Sequence, residues 1–314
     1  MTIARRPLGR TGFEASVLGY GAMELRGAPA GPPIRDDEAG RLLNAVLDGG
    51  INLIDTSIDY GRSEELIGCY LAGRRDEYFL ASKCGCPPRQ LRLRLRPRRT
   101  LRRQHDFRPL NVRAGVEQSL RRLRTDRLDL VQVHDSPSRA RLEADGTIET
   151  LTTLREQGKI RFIGMSGQLP NLPGHLAMGV FDVFQIPYSA LQREHESLIT
   201  AAAEAGAGTL IRGGVARGAL ASDKEWQAGP LGLPTGEGQR RWDAAGLADL
   251  LDGMSPLEFV LRFTLSHPGL SSAIVGTARP EHLRGNLAVA AKGPLPADLY
   301  AEARRRLKTD DLKP

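Results

Sequence analysis

The chain is poor in cysteine, with only Cys69, Cys84 and Cys86 among 314 residues. Three thiols do not make a disulfide framework, which points to a reduced compartment. The opening MTIARRPLGRTG has no apolar signal core, and no stretch approaches the roughly 20 apolar residues of a membrane helix. A cytoplasmic protein without a membrane partner is expected. Linkers and repeats with matching residues are missing too, so residues 1–314 read as one domain. No G-x-G-x-x-G follows the first predicted strand, where the text is LGYGAMELRG, and this counts against a doubly wound dinucleotide fold.

Acidic residues are absent from Arg89 to Arg103, a segment holding eight arginines. Without those eight, the net charge of +7 becomes −1. The basic balance is therefore mostly one insertion, at about 87–111, and no spread nucleic-acid surface is expected.

What is present is a regular strand and helix alternation. Arg6 to Gly21 reads as a hairpin broken at Gly9-Arg10-Thr11-Gly12, followed by a first strand near Ser16 to Gly19. Asp36 to Leu47 has an acidic start and helical apolar spacing at Ala39, Leu42, Leu43 and Val46. Strands follow to Asp55, to Lys83, to His134, over Ile160 to Met165, Val180 to Gln185, Gly208 to Ile211 and Ser272 to Val275, with helices between them. Gly158 reads as a helix C-cap. Eight such units predict a (β/α)8 barrel, with an extra C-terminal helix over Pro296 to Lys308.

The stretch INLIDTSIDYGRSEE, Ile51 to Glu65, places Asp55 at a strand end and Tyr60 just beyond it. The strands EYFLASK and LDLVQVH end on Lys83 and His134. In a parallel barrel all four side chains project from one rim, where such barrels do chemistry. A carbonyl reduced by hydride needs a proton, yet an ordinary phenol with a pKa of about 10 is a reluctant acid at neutral pH. An ammonium at Lys83 favours the phenolate and is expected to lower the Tyr60 pKa, with Asp55 keeping that ammonium charged. His134 could hydrogen-bond the carbonyl oxygen.

With these four residues in that strand context, and with GKIRFIGMS, QIPYS and IVGTARPEHLRGN elsewhere, the chain resembles an aldo-keto reductase over about residues 5 to 291. The resemblance implies an enzyme, an NADPH-dependent oxidoreductase reducing an aldehyde or ketone, with a sugar-derived or specialised-metabolite carbonyl as the substrate class. NADH is the second choice of cofactor. It also implies that Tyr60 is the acid, or the base in the oxidative direction. Ser166 and Gln185 would hydrogen-bond the nicotinamide carboxamide, and Tyr188 would stack on its ring. Gly167 is a departure, because the family usually has asparagine there. Gly21 and Met23, after the first strand, join the cofactor set. In IRGGVARGAL, Arg212, Gly213, Gly214 and Gly218 would lie over the pyrophosphate, the glycines allowing close backbone approach. At the last βα junction, Gly276, Thr277, Arg279 and His282 would face a 2′-phosphate at a helix N-terminus, which favours NADPH. Asn286 would contact the adenine.

Two other function classes compete. A barrel lyase or aldolase would use Lys83 as a Schiff-base nucleophile. A binding or sensing barrel would hold nucleotide without turnover. The arginine segment alternates Leu91, Leu93 and Leu95 with Arg92, Arg94 and Arg96, and could recruit an acidic or phosphorylated substrate or carrier. Its plainer reading is a solvated loop. Cys84 and Cys86 have no further Cys or His ligand close in sequence, so they read as loop residues and no metal is expected. His105, His175, His195 and His267 read as surface or capping residues, and Arg124, Asp126 and Asp129 as surface charges.

Overall fold

The computed structural model describes residues 3–28, 31, 33–87, 105–215 and 236–307. Within them lie ten strands: β1 (Arg5–Pro7), β2 (Glu14–Ser16), β3 (Leu18–Gly21), β4 (Leu53–Asp55), β5 (Phe79–Cys84), β6 (Leu128–Val133), β7 (Ile160–Ser166), β8 (Val183–Pro187), β9 (Gly208–Arg212) and β10 (Ser272–Val275). Strands β3 to β10 pair in sequence order, all parallel, and β10 closes onto β3. Helices connect them, so the architecture is the expected (β/α)8 barrel.

The two-residue period of a strand organises the barrel interior. Leu53, Ala81, Leu130, Val183 and Leu210 form an apolar inner layer with Phe79 and Ile274. Two residues further along the same strands stand Asp55, Lys83, Gln132, Gln185 and Arg212. The barrel is thus filled with hydrocarbon below and polar groups above. Strands β1 and β2 form the antiparallel hairpin that stoppers the apolar end: Leu8 and Ala15 join the inner cluster, and the Phe13 and Phe79 rings lie 4.9 Å apart.

The outer layer is the larger core. Helix Asp36–Asp48 buries Ala39, Leu42, Leu43 and Val46, the face that its spacing predicts. Gly158 takes φ +72 and returns its N–H to the Arg155 carbonyl, closing helix Thr147–Glu156. The extra helix, Ala297–Arg306, packs Tyr300 on Phe263 at 5.0 Å between ring centres.

Three local expectations are corrected. The first barrel strand is Leu18–Gly21, because Ser16 is taken by the hairpin register opposite Arg5. The stretch Asp135 to Asp145, which the sequence suggests is a plain loop after His134, contains a helix, Arg139–Ala144, which Ser138 caps by accepting from the Arg141 N–H. Asp129 is not a surface charge. It is buried on β6, pairs with Arg75 at 2.7 Å and Arg161 at 3.0 Å, and accepts the Leu80 N–H. Gly218 and the arginine segment from Arg89 to Arg103 lie outside the described residues. Among the described residues no helix is long and apolar enough to cross a membrane.

Candidate active site

The polar end of the barrel opens into a cavity of about 520 Å³. Asp55, Tyr60 and His134 line it, and Lys83 lies buried beneath them. The Lys83 ammonium donates to Asp55 Oδ2 at 2.7 Å and to the Thr56 carbonyl at 2.9 Å, and sits 4.9 Å from the centre of the Tyr60 ring. The other Asp55 oxygen accepts from Gln132 at 2.8 Å and Gln185 at 3.0 Å. Gln132 was not singled out in the sequence. Its position two residues before His134 on one strand was the available signal.

Burial and charge set the protonation states. Burial works to lower the Lys83 pKa, but Asp55 and Tyr60 outweigh it and hold it at about 12. Burial raises the Tyr60 phenol above its ordinary value, and Lys83 opposes that rise without cancelling it. The expectation of a net lowering is therefore corrected: in a dry site the desolvation of the phenolate exceeds the pull of one ammonium that is already paired. Burial, then the Lys83 charge, push His134 down to about 3, so it is a neutral imidazole.

The cysteines and histidines also differ from expectation. Cys84 is the last residue of β5 and is buried. Cys86 lies 3.0 Å from His134 Nδ1 and 3.3 Å from His105 Nε2, so it does have histidines beside it. They come from distant parts of the chain, which sequence spacing does not reveal. His175, His195 and His267 are buried rather than at the surface, though His195 does hold the N-cap position of helix Glu196–Glu204; His195 and His267 accept backbone N–H groups from Leu169 and Gly269.

Most of the expected cofactor residues converge on this cavity. Gly21, Met23, Ser166, Gln185, Arg212 and Gly213 line it, as do Gly276, Thr277, His282 and Asn286. Ser166 donates to Gln185 at 3.3 Å. Arg279 is the exposed N-cap residue of helix Pro280–Ala291, next to the cavity, and its N–H donates to Thr277. Gly214 lies just behind the wall, its carbonyl accepting from Thr264.

Tyr188 does not line the cavity. It follows Ile186 on the outward face of β8, is fully buried in the helical layer, and turns its hydroxyl toward Glu196 at 3.3 Å. Arg212, from the end of the next strand, lines the wall instead and donates to Gln168 at 3.0 Å. Gly167 is explained by packing: a Cβ there would meet Leu172 at 2.7 Å and Met165 at 3.1 Å. Gln168, Asp135 and Ser136 belong to the wall as well. Asp135 and Ser136 take φ +67 and +48, a strained conformation of the kind concentrated at working sites.

A closed parallel barrel carrying a buried lysine and aspartate beside a tyrosine and a neutral histidine defines a class of oxidoreductase, and comparison with known proteins agrees. The model of the aldo/keto reductase family matches residues 17–306, and the chain belongs to that family. Aldo-keto reductase YhdN of Bacillus subtilis is 30% identical, the match covering 87% of this chain and 84% of that protein. L-galactose dehydrogenase of Arabidopsis thaliana is 28% identical, covering 91% and 88%. Among solved structures, the holo form of aldo-keto reductase AKR11C1 from Bacillus halodurans superimposes with a TM-score of 0.81 at 27% identity, covering 98% of this chain and 97% of that one.

Proposed function

We propose that this protein is an NADPH-linked oxidoreductase that interconverts a small carbonyl compound and its alcohol. The observation that carries this reading is the buried Lys83–Asp55 pair set against Tyr60 at the floor of a cavity large enough for an organic ligand. The same wall supplies the donor set a dinucleotide needs. Ser166 and Gln185 offer a hydroxyl and an amide, Arg212 a guanidinium face, and Gly276 with Thr277 an approach to the N-terminus of helix Pro280–Ala291. Arg279 and His282 favour a 2′-phosphate, while Glu281 in the same wall opposes one.

When bound, the nicotinamide supplies or accepts the hydride. The residues of the chain handle the proton. Tyr60 gives its phenolic proton to the oxygen of the carbonyl as that oxygen gains charge. Lys83 stabilises the phenolate left behind, and Asp55 with the Thr56 carbonyl holds Lys83 in place. Neutral His134, its Nδ1 engaged by Cys86, has Nε2 left to hydrogen-bond the same oxygen. A Schiff-base role for Lys83 requires a neutral, mobile amine, and an ammonium held at about 12 by two acceptors disfavours it. The relative named L-galactose dehydrogenase supports the oxidative direction on sugars as a first screen.

Nucleotide binding and turnover separate this reading from its rivals. Titration with NADPH and NADH, followed by tryptophan fluorescence, should show saturable NADPH binding that Tyr60→Phe leaves intact. The variant should lose about 10²- to 10⁴-fold in turnover, the worth of a positioned general acid. A chain that binds neither nucleotide would overturn the proposal.

A further inference from the structure

Cys86, His105 and His134 come together from three parts of the chain. Their ligand atoms all lie within 4.8 Å of one another. Cys86 Sγ stands 3.0 Å from His134 Nδ1 and 3.3 Å from His105 Nε2, and the two imidazole rings meet edge to face at 5.1 Å. On the other side of the His105 ring, Asp135 Oδ2 lies 3.2 Å from Nδ1.

The backbone that brings them together is fixed. Gly85 takes φ +95, and a Cβ there would strike the Phe107 ring at 2.3 Å, so only glycine lets the chain turn between Cys84 and Cys86. The Gly85 carbonyl accepts from the Asp106 N–H at 2.8 Å and from Asn111 at 3.3 Å. The Phe107 ring stacks on His105 at 6.0 Å. The stretch from Cys84 to Pro87 is thereby tied to the stretch that begins at His105.

One thiol and two imidazoles form a donor set for a borderline or soft ion. In a tetrahedral zinc centre, with Zn–S about 2.3 Å and Zn–N about 2.0–2.1 Å, neighbouring donors stand roughly 3.4–3.6 Å apart. The two sulfur–nitrogen separations need to open by about half an ångström or less to reach that value, a movement within the reach of side-chain rotation. Asp135 Oδ2 stands 3.2 Å from the second nitrogen of His105 but outside hydrogen-bonding geometry, so what it adds there is a nearby negative charge. Glutamine or hydroxyl neighbours would suit a harder ion, but none is among the three ligands.

We propose that Cys86, His105 and His134 form a three-ligand zinc(II) site beside the cavity, with the fourth position open to water or to an exogenous ligand. On binding, the Cys86 thiol gives up its proton to solvent and the thiolate and two neutral imidazoles become the ligands, with no change of oxidation state. His134 also lines the cavity, so the ion and the cavity share a residue. The site itself follows from the ligand geometry and stands apart from the hydride reading.

The test is metal binding by the full chain after chelator treatment, without any turnover assay. Zinc(II) competed against a chromophoric chelator should bind with one equivalent per chain. Cobalt(II) in its place should show a thiolate-to-metal charge-transfer band and the visible intensity of a tetrahedral centre. Cys86→Ala and His105→Ala should each weaken binding at least about tenfold, the lower end of what even the supporting residues of a metal site contribute. Cys69→Ser, which removes the exposed thiol elsewhere on the surface, should change nothing. Absence of the charge-transfer band, binding that survives both ligand variants, or binding lost with Cys69 would each overturn the proposal. Circular dichroism shows whether the variants fold; should Cys86→Ala not fold, the cobalt spectrum of the unaltered chain and the His105→Ala titration decide.

Discussion

At the scale of single residues, the candidate site is built by taking charged groups out of water and giving each a designated partner. Lys83 is buried, yet keeps its proton because Asp55 and the Thr56 carbonyl replace the water it lost. Asp55 in turn accepts from two glutamines, so the pair is held in one geometry. Gly167 illustrates the opposite constraint, where space rather than charge decides. Gly167→Asn would set a Cβ 2.7 Å from the Leu172 Cδ1 methyl and 3.1 Å from Met165 Cγ, so those side chains must shift to admit it. We expect it to lower stability by about 1–3 kcal/mol, the ordinary cost of overpacking, and to leave NADPH affinity no better. Urea unfolding and fluorescence titration of the same preparation check both parts.

At the scale of elements, four barrel strands carry a structural and a polar site residue on one face, two positions apart: Leu53 and Asp55, Ala81 and Lys83, Leu130 and Gln132, Val183 and Gln185. The connections that follow the strands are tied to one another by buried polar groups. His195, immediately before helix Glu196–Glu204, accepts the Leu169 N–H at 3.0 Å from the connection after β7. Burial pulls His195 down to about 4, with Arg212 adding to that and Glu194 opposing it. An unfolded histidine titrates near 6.5, so between about 4 and 6.5 the unfolded chain binds the extra proton. The stability His195 contributes is therefore complete above about pH 6.5 and is lost as the pH falls toward 4. His195→Gln should flatten this part of the profile. Urea midpoints compared at about pH 5 and about pH 7 should fall less in the variant than in the unaltered chain.

At the scale of the molecule, closure of the barrel separates stability from chemistry. The hairpin seals one end, and the cavity opens at the other. Arg6 ties that hairpin to the end of helix Pro256–Leu265 and the connection leading into β10, donating to the Leu265 and Leu270 carbonyls at 3.0 Å each. Leu8 sits in the apolar layer with no exposed surface. Leu8→Ala should cost about 2–5 kcal/mol, as large-to-small changes in a packed core do. Because the cavity is at the far end of the barrel, nucleotide affinity should stay as it was. A drop in affinity that matched the loss of stability would show that the two ends are coupled.

The sequence by itself determined the architecture and pointed to most of the residues that line the candidate site. Apolar periodicity, helix starts such as Asp36-Asp37-Glu38, the turn at Gly158, and polar residues at successive strand ends are local signals. They survive folding because strand and helix periods are set by the backbone. The strand-end rule placed Asp55, Tyr60, Lys83 and His134 on one rim because every strand of a parallel barrel points the same way. Tertiary structure alone decided the rest. It turned Tyr188 into the helical layer and put Arg212 in the cavity wall, a matter of which face a residue takes once the strand ends. It raised the Tyr60 pKa where a pairwise argument lowered it, since desolvation depends on everything packed around the phenol. It buried Asp129 between two arginines and set Cys86 between two histidines. Those contacts join residues 19 to 54 positions apart, and no local spacing carries them.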